Sequence, residues 1–471
     1  MFQGTIPANQ KARPPVQALS EAAARFGTPL YVVGMTDVAA AAARLEATFD
    51  RPWLRLYSLK ANDLPAITSF LHGRGWGASV VSAGEWRHAQ AGGVPNESVA
   101  FEGLGKTDVQ LELAVAEAAA GRPLRWLAIE SVQEAAVLAR LAEAAGLGRG
   151  GRPPLEILLR LNPEVAPETV PGFAVGAPAS KFGMTSAEIL AIAGGSTLAG
   201  PGLRLRGIHV HVGSDLTGVG AFGNAGVRAA RLLAALRAAR ESNRPWIDTI
   251  DFGGGFPLPA DGSPGPEAFH GALLEALHDA GLELPPRPAI EPGRYLVGAA
   301  GWLVASVLHA RAGSGRSQQV VLDAGMTEFI RPALYGSRHS AHALSAKAPG
   351  EQAGRGHRAG TGLLDTDLEG PVCESTDSFG RHVLPPLDRG DLVAIEQAGA
   401  YGASFTSRYN GRPAPAEVLL WLDGSLQPCE RPPVTPVALT PARAPDGAAR
   451  PAQPGASHTV GSATVTKESL P

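Results

Sequence analysis

From about residue 30 to residue 295, short apolar, β-branched segments alternate with Ala/Leu-rich segments of helical period, and few folds accommodate that alternation. The strand candidates are "LRLYSLKA" (54–61), "GASVVS" (77–82), "SVAFEG" (98–103), "RWLAIE" (125–130), "LEILLRLN" (155–162), "RLRGIHVHV" (204–212), "DTIDFGGGF" (248–256) and "RPAIEPG" (287–293). Between them lie stretches such as "DVQLELAVAEAAA" and "RAARLLAALRAARES". A chain of this kind closes into a barrel or spreads as a doubly wound open sheet. Eight alternations over about 250 residues predict the α/β class and a (β/α)8 barrel. After residue 300 the rhythm changes. "WLVASVLHARAG", "QQVVLDAG", "DLVAIEQAGAYG" and "AEVLLWLD" are strand-like, with few helical segments between them, and predict an all-β domain after the barrel. From 431 onward Pro, Ala, Gly and Thr dominate and large apolar residues are few, so a disordered tail is expected over 431–471.

Composition narrows the function classes. The net charge of −3 gives no reason to expect nucleic acid or an anionic membrane as partner. Two cysteines among 471 residues do not make a disulfide framework, and a reducing, cytoplasmic setting is the default. The opening "MFQGTIPANQKARPPVQ" has no basic-then-apolar signal pattern, and no apolar run is long enough to cross a bilayer.

Barrel enzymes place their chemistry at the C-terminal ends of the strands. Unusual residues gather at those ends here: Lys60 after the first strand, "HVHVGSD" (209–215) after the sixth, "DFGGGFP" (251–257) after the seventh and "IEPGR" (290–294) after the eighth. Gly253, Gly254 and Gly255 could cradle a phosphate with consecutive backbone N–H groups; a tight strand-to-helix turn is the plainer account. Lys60 either snorkels to solvent or supplies a partly buried amine for a Schiff base. A phosphate loop with such a lysine suggests pyridoxal phosphate, whose pyridine nitrogen needs a partner. Glu291 is the candidate, and a salt bridge to Arg294 is its alternative role. His209 and His211 alternate along one strand and should share a face, where His211 could stack on a flat ring. No third ligand at suitable spacing completes a zinc site with them, so no metal is expected. In the β-domain, "RPALY" (331–335) joins an arginine and a tyrosine suited to gripping a carboxylate, and "CESTD" (373–377) holds a thiol and two acids.

The ordered set YSLKAN, HVHVGS, DFGGGF, EPGR, DAGM…RPALY, GPVCESTD and GAYG…YN resembles the fold-type III pyridoxal-phosphate decarboxylases, and among them most closely the diaminopimelate decarboxylases. The resemblance runs from about residue 25 to 420. It implies an alanine-racemase-type barrel (37–300), a C-terminal β-domain (301–430) and an N-terminal segment (1–36) that packs with the β-domain. It also implies a role for each matching residue. Lys60 would hold pyridoxal phosphate covalently, His211 would stack on its ring, and Glu291 would partner its nitrogen. Ser214, Gly253, Gly254, Gly255 and Arg294 would bind its phosphate. Arg294, Arg331 and Tyr335 would hold the distal carboxylate of a small amino-acid substrate, with Tyr401 near both substrate and phosphate. Cys373 would protonate the carbanion, Glu374 would read the distal amino group, and both would reach across a homodimer interface. The activity implied is decarboxylation of meso-2,6-diaminopimelate to L-lysine.

The chain departs from the family pattern at several positions. Ser79 stands where the family has Asp, Asp215 where it has Gln, Val175-Gly176 where it has Thr-Gly, and Ser58 where alanine is common. Two rival readings are a decarboxylase of ornithine, arginine or a specialised-metabolite precursor, and a non-catalytic cofactor-binding homologue. Glu374 after Cys373 speaks against an ornithine enzyme, and Lys60, Glu291 and Cys373 speak against a non-catalytic one.

Overall fold

The computed structural model describes residues 15–238, 247–259, 262–344 and 362–433. The chain enters with a helix, Val16–Phe26, and strand β1, Leu30–Gly34. Eight strands follow in turn: β2 (Leu54–Ser58), β3 (Gly77–Val80), β4 (Val99–Phe101), β5 (Trp126–Ile129), β6 (Leu155–Leu161), β7 (Leu203–Val210), β8 (Thr249–Asp251) and β9 (Arg287–Ile290). They pair in parallel, each with the next, and β2 closes on β9 through Leu54–Ala289 and Arg55–Ile290. The barrel is thus the alternative the structure adopts, in place of the open sheet. The strands are shorter than their apolar runs because each run continues into the loop that carries the chemistry. Lys60, expected at the end of the first strand, lies beyond it in a 3-10 turn, Leu59–Ala61.

Period-two alternation fills the barrel in layers. Leu56, Ala100, Trp126, Leu158 and Ala289 form an apolar plug. Two residues further along the same strands come Ser58, Glu102, Ala128, Arg160 and Glu291, all buried. The plug therefore carries a mostly polar layer on its C-terminal side, and Ser58 belongs to that layer. Outside, the helices bury a continuous aromatic and aliphatic core, in which Phe222, Phe252, Phe256 and Phe269 meet edge-on or tilted.

The remaining strands are β10 (Gly301–Ala312), β11 (Ser317–Leu322), β12 (Ala341–Ala343), β13 (Leu364–Glu369), β14 (Ser378–Leu384), β15 (Leu392–Ile395), β16 (Ala416–Leu420) and β17 (Leu426–Cys429). With β1 they form a nine-stranded sheet of order β14-β13-β11-β10-β1-β16-β17, to which β15 adds on β10 and β12 on β15. β1 lies antiparallel to β10 and parallel to β16, so the N-terminal segment is one strand of this sheet. The entering helix packs Leu19 and Ala22 against Val32, Trp302 and Val418 of the sheet. "RPALY" is a short helix, Arg331–Tyr335. Of the tail expected from 431, Arg431 to Pro433 are placed against the barrel, where Arg431 pairs with Asp63 and Glu417. The rest of the tail lies outside the described residues. No helix among the described residues is long and apolar enough to cross a membrane.

Candidate active site

A cavity of about 460 Å³ opens at the C-terminal end of the barrel. Lys60, Ser79, Glu102, Arg160, Phe173, His209, His211, Ser214, Gly255, Glu291, Arg294, Arg331, Tyr335 and Tyr401 line it. Closure of the barrel makes this convergence possible, because the loops after β2 and β9 become neighbours. The Ser58 amide donates to the Pro292 carbonyl at 3.2 Å across that seam.

The turn bearing Lys60 is pinned from several sides. Tyr57 Oη donates to the Asn62 carbonyl, and Asn62 Nδ2 donates to the Gly399 carbonyl. The Tyr401 amide donates to the Ala61 carbonyl at 2.7 Å, and Ser404 Oγ to that of Lys60 at 3.1 Å. The turn is rigid while its side chain is spare: among the described residues the Lys60 amine makes no hydrogen bond or ion pair.

Glu291 does not pair with Arg294. Its Oε2 lies 3.4 Å from His209 Nε2, and its Oε1 is buried with no hydrogen-bond partner. Burial pushes the Glu291 carboxyl up. The adjacent His209, the Lys60 ammonium and the Ser79 hydroxyl outweigh that and hold it down to about 2. An anionic carboxylate with one free buried oxygen is what a protonated ring nitrogen needs.

His209 and His211 have separate jobs. His209 turns into the barrel interior. His211, just past the end of β7, accepts from the Gly254 amide through Nδ1 at 3.1 Å, so Nε2 carries its hydrogen. Burial, with Lys60 and Arg160 nearby, keeps His211 well below the usual histidine range. A neutral, fixed imidazole at the cavity wall suits stacking on a flat ring.

The three glycines also divide their work. The Gly253 amide donates to Asp251 Oδ1 and the Gly254 amide to His211. Gly255 faces the cavity, and no protein group among the described residues takes its amide. A Cβ on Gly254 would meet the Glu291 carbonyl at 2.4 Å, and Gly253 adopts φ +69°. The loop is built of glycine because the backbone must pass this close to the β9 end.

At the other side of the cavity two arginines stand together. Arg294 Nη2 donates to Ser214 Oγ at 3.0 Å, and Asp215 Oδ1 lies 3.8 Å from its Nε. The guanidinium of Arg294 sits over Phe173 and Tyr401, and that of Arg331 over Phe173, Tyr335 and Tyr401. Burial, together with the neighbouring Arg294 charge, lowers the Arg331 guanidinium to about 10. Arg331 is buried and has no ion pair among the described residues. Two cations boxed by aromatic faces, one of them unpaired, make a receptor for an anion.

The structure does not bring Cys373 and Glu374 to this cavity. Both are exposed; Glu374 Oε1 accepts from Tyr409 Oη at 2.8 Å, and Cys373 Sγ lies 3.8 Å from Asn410 Nδ2. Conversely, the cavity holds Glu102, Arg160 and Phe173, which sequence reasoning passed over. Glu102 and Arg160 close apolar strands just as Lys60 does, so the same argument applied to "SVAFEG" and "LEILLRLN" would have found them.

The family profile described as "Pyridoxal-dependent decarboxylase, pyridoxal binding domain" matches residues 35–298. The chain belongs to this family. The diaminopimelate decarboxylase of Zymomonas mobilis is 34% identical over 408 residues, covering 85% of this chain and 90% of that one. The diaminopimelate decarboxylase of Helicobacter pylori, solved in complex with L-lysine, superposes with a TM-score of 0.73 at 28% identity. It covers 87% of this chain and 95% of that one. The enzyme of M. jannaschii, in co-complex with L-lysine, gives 0.75 at 28% identity, with 87% and 91% covered. As a pyridoxal-dependent decarboxylase, this chain takes pyridoxal phosphate. Its residues fit that group: a free buried oxygen on Glu291, a spare amine on Lys60, the Gly255 amide beside Ser214 and Arg294, and a neutral His211.

Behind the Lys60 turn, Asp63 pairs with His88 Nδ1 at 2.8 Å and with Arg431. Burial raises the Asp63 carboxyl, but the His88 hydrogen bond and Arg431 outweigh it and hold it down to about 2. A carboxyl depressed in the folded state stabilises the fold above its unfolded value of about 4, and that contribution is lost as pH falls through about 2. Replacement of Asp63 by Asn should therefore cost about 2 kcal/mol at neutral pH. The cost should shrink by pH 3, as read by denaturant unfolding at both pH values; a pH-independent cost would contradict this account of the turn.

Proposed function

We propose that this enzyme decarboxylates meso-2,6-diaminopimelate to L-lysine and CO2, in lysine biosynthesis. The observation that carries the substrate is the Arg294–Arg331 pair at the cavity wall. A second carboxylate, distant from the reacting one, would satisfy it. Ornithine or arginine would instead bring another cation toward two guanidinium groups, which is repulsive in a site shielded from water. The names of the relatives and the lysine complexes of two of them support the same reading.

Bound pyridoxal phosphate supplies an electron sink for the charge left on the substrate Cα when CO2 departs. Lys60 would hold the cofactor through its amine, in the cavity that also admits the substrate. Glu291 Oε1 keeps the proton on the ring nitrogen, which strengthens the sink. His211, its ring fixed by the Gly254 amide, would stack on the cofactor ring. Ser214, Arg294 and the glycine loop, through Gly255, would take the phosphate, and Gly253 and Gly254 give the loop its close fit. Arg331 and Tyr335, with Arg294, would orient the distal carboxylate, and Tyr401 would lie near both the cofactor phosphate and the substrate. Cys373 and Glu374 act in the cavity of a second copy, which makes the working unit a homodimer with shared sites; their exposure and their absence from the cavity of their own chain support this. Both cysteines are free thiols, Cys373 an exposed one, which suits a reducing cytoplasm.

Purified protein offered a panel of amino acids should release CO2 from meso-diaminopimelate and form lysine. Turnover of ornithine or arginine with none of meso-diaminopimelate would refute the assignment. Lys60→Ala should lose both turnover and the visible band of the bound cofactor. For the shared site, Lys60→Ala and Cys373→Ala proteins, each inactive, should recover about a quarter of wild-type activity when mixed under subunit exchange, because half the dimers then hold one intact site. A mixture no more active than its parts would place Cys373 in its own chain's site or outside catalysis.

A further inference from the structure

On the floor of the cavity, inside the barrel, three buried side chains from strands that are not neighbours meet in a line. Glu102 follows the end of β4, His209 lies in β7, and Glu291 follows β9. Glu102 Oε2 is 3.3 Å from His209 Nδ1, and Glu291 Oε2 is 3.4 Å from His209 Nε2. These are ion-pair contacts, with no other partner for either ring nitrogen or for Glu102 Oε2. The other oxygen of Glu102 accepts from the fully buried indole of Trp126 at 3.0 Å, so the carboxylate is held at a set angle. Glu102 is 3% exposed and His209 2%, and burying such groups is costly unless they serve one another.

The charged surroundings make the arrangement selective. Asp251, paired with His209 in register across β7 and β8, is a third buried carboxyl, with Oδ2 unpartnered. Lys60 and His211 face the group from the cavity side, and Lys106 and the Arg160–Glu130 pair from the β4 and β6 sides. Three carboxyls around one imidazole cannot all be ionised there. Burial raises both Glu102 and Asp251, whereas Glu291 is lowered. The imidazole thus stands between one carboxyl that burial pushes up and one that its neighbours hold down.

The ligand atoms of the three residues lie within 4.8 Å of one another, a spacing that also suits a metal ion. However, the shortest contacts put the two carboxylates on opposite nitrogens of one ring, and an ion bound at one nitrogen would forgo the contact at the other. A proton-bearing line uses all three groups.

We propose that Glu102 is a positioning residue which, through His209, orients Glu291 and keeps it anionic, leaving Oε1 for the ring nitrogen of the cofactor. This rests on the cofactor orientation proposed above, with the ring nitrogen at Glu291, and adds Glu102 and His209 as the groups that set its electronics through Glu291. Without the Glu102 carboxylate, the imidazole loses its partner at Nδ1, and Glu291 loses the line of contacts that fixes it.

The test uses the protein loaded with pyridoxal phosphate and needs no substrate. The visible band of the bound cofactor is followed from about pH 6 to about pH 9 in wild type, Glu102→Gln and Glu102→Asp. In Glu102→Gln the pH midpoint should move down by about one unit, or a transition should enter the range where wild type has none. Glu102→Asp, which restores the charge, should return the titration toward wild type. A Glu102→Gln titration identical to wild type, or an Asp variant that behaves like the Gln variant, would overturn the proposal. Should Glu102→Gln fail to fold, His209→Gln must move the midpoint in the same direction, and an unmoved midpoint would overturn it equally. Failure of the substrate assignment shows separately, as a normal cofactor band without turnover of meso-diaminopimelate.

Discussion

Pairing of β2 with β9 is the contact on which the rest of this structure depends. Only two residue pairs carry it, Leu54–Ala289 and Arg55–Ile290, yet it turns an eight-stranded ribbon into a closed barrel. It removes both edges of the sheet. It also makes the loop carrying Lys60 and the loop carrying Glu291 neighbours, although almost the whole barrel separates them in sequence. An open doubly wound sheet built from the same segments would leave its first and last strands apart.

Closure creates a second constraint. A small barrel must fill its own interior, and the interior positions repeat every second residue. In the lower layer the fill is apolar and includes Trp126. In the upper layer it is largely polar, and polar groups buried there must satisfy one another. Glu102, His209 and Glu291 do so in a line, as Arg160 does with Glu130. The sheet domain contributes from outside. Its β15–β16 connection supplies Tyr401 and Ser404 to the back of the Lys60 turn, and its short helix supplies Arg331. The site belongs to both halves of the chain.

Much of this was legible in the sequence for a physical reason. Barrel strands buried on both faces read as short apolar runs, and all eight stood out. β10, β11, β15 and β16 also stood out, each through its own run of apolar residues. β13 ("LDTDLE") and β14 ("SFGRHVL") did not, since one face of each meets solvent and charges interrupt the pattern; the three-residue β12 and the polar β17 were equally hidden. The lysine was found by its cost in an apolar run, though the run outlasts the strand and places it in a turn. Glu102 and Arg160 carried the same signal and were passed over. The pairing of Glu291 with His209 instead of nearby Arg294 could not be read locally, because only barrel closure decides which strand ends meet. Nor could the exposure of Cys373 and Glu374, away from the cavity of their own chain, be read from their motif.

The central claim is that closure sets Lys60 and Glu291 around a single pyridoxal phosphate. A crystal structure of the protein grown with pyridoxal phosphate tests it most directly. The account predicts a covalent bond from Lys60 Nζ to the cofactor, with Glu291 Oε1 within about 3 Å of the ring nitrogen and Oε2 still beside His209. Attachment through Lys181, which also lines the cavity, or a ring nitrogen turned away from Glu291, would contradict it.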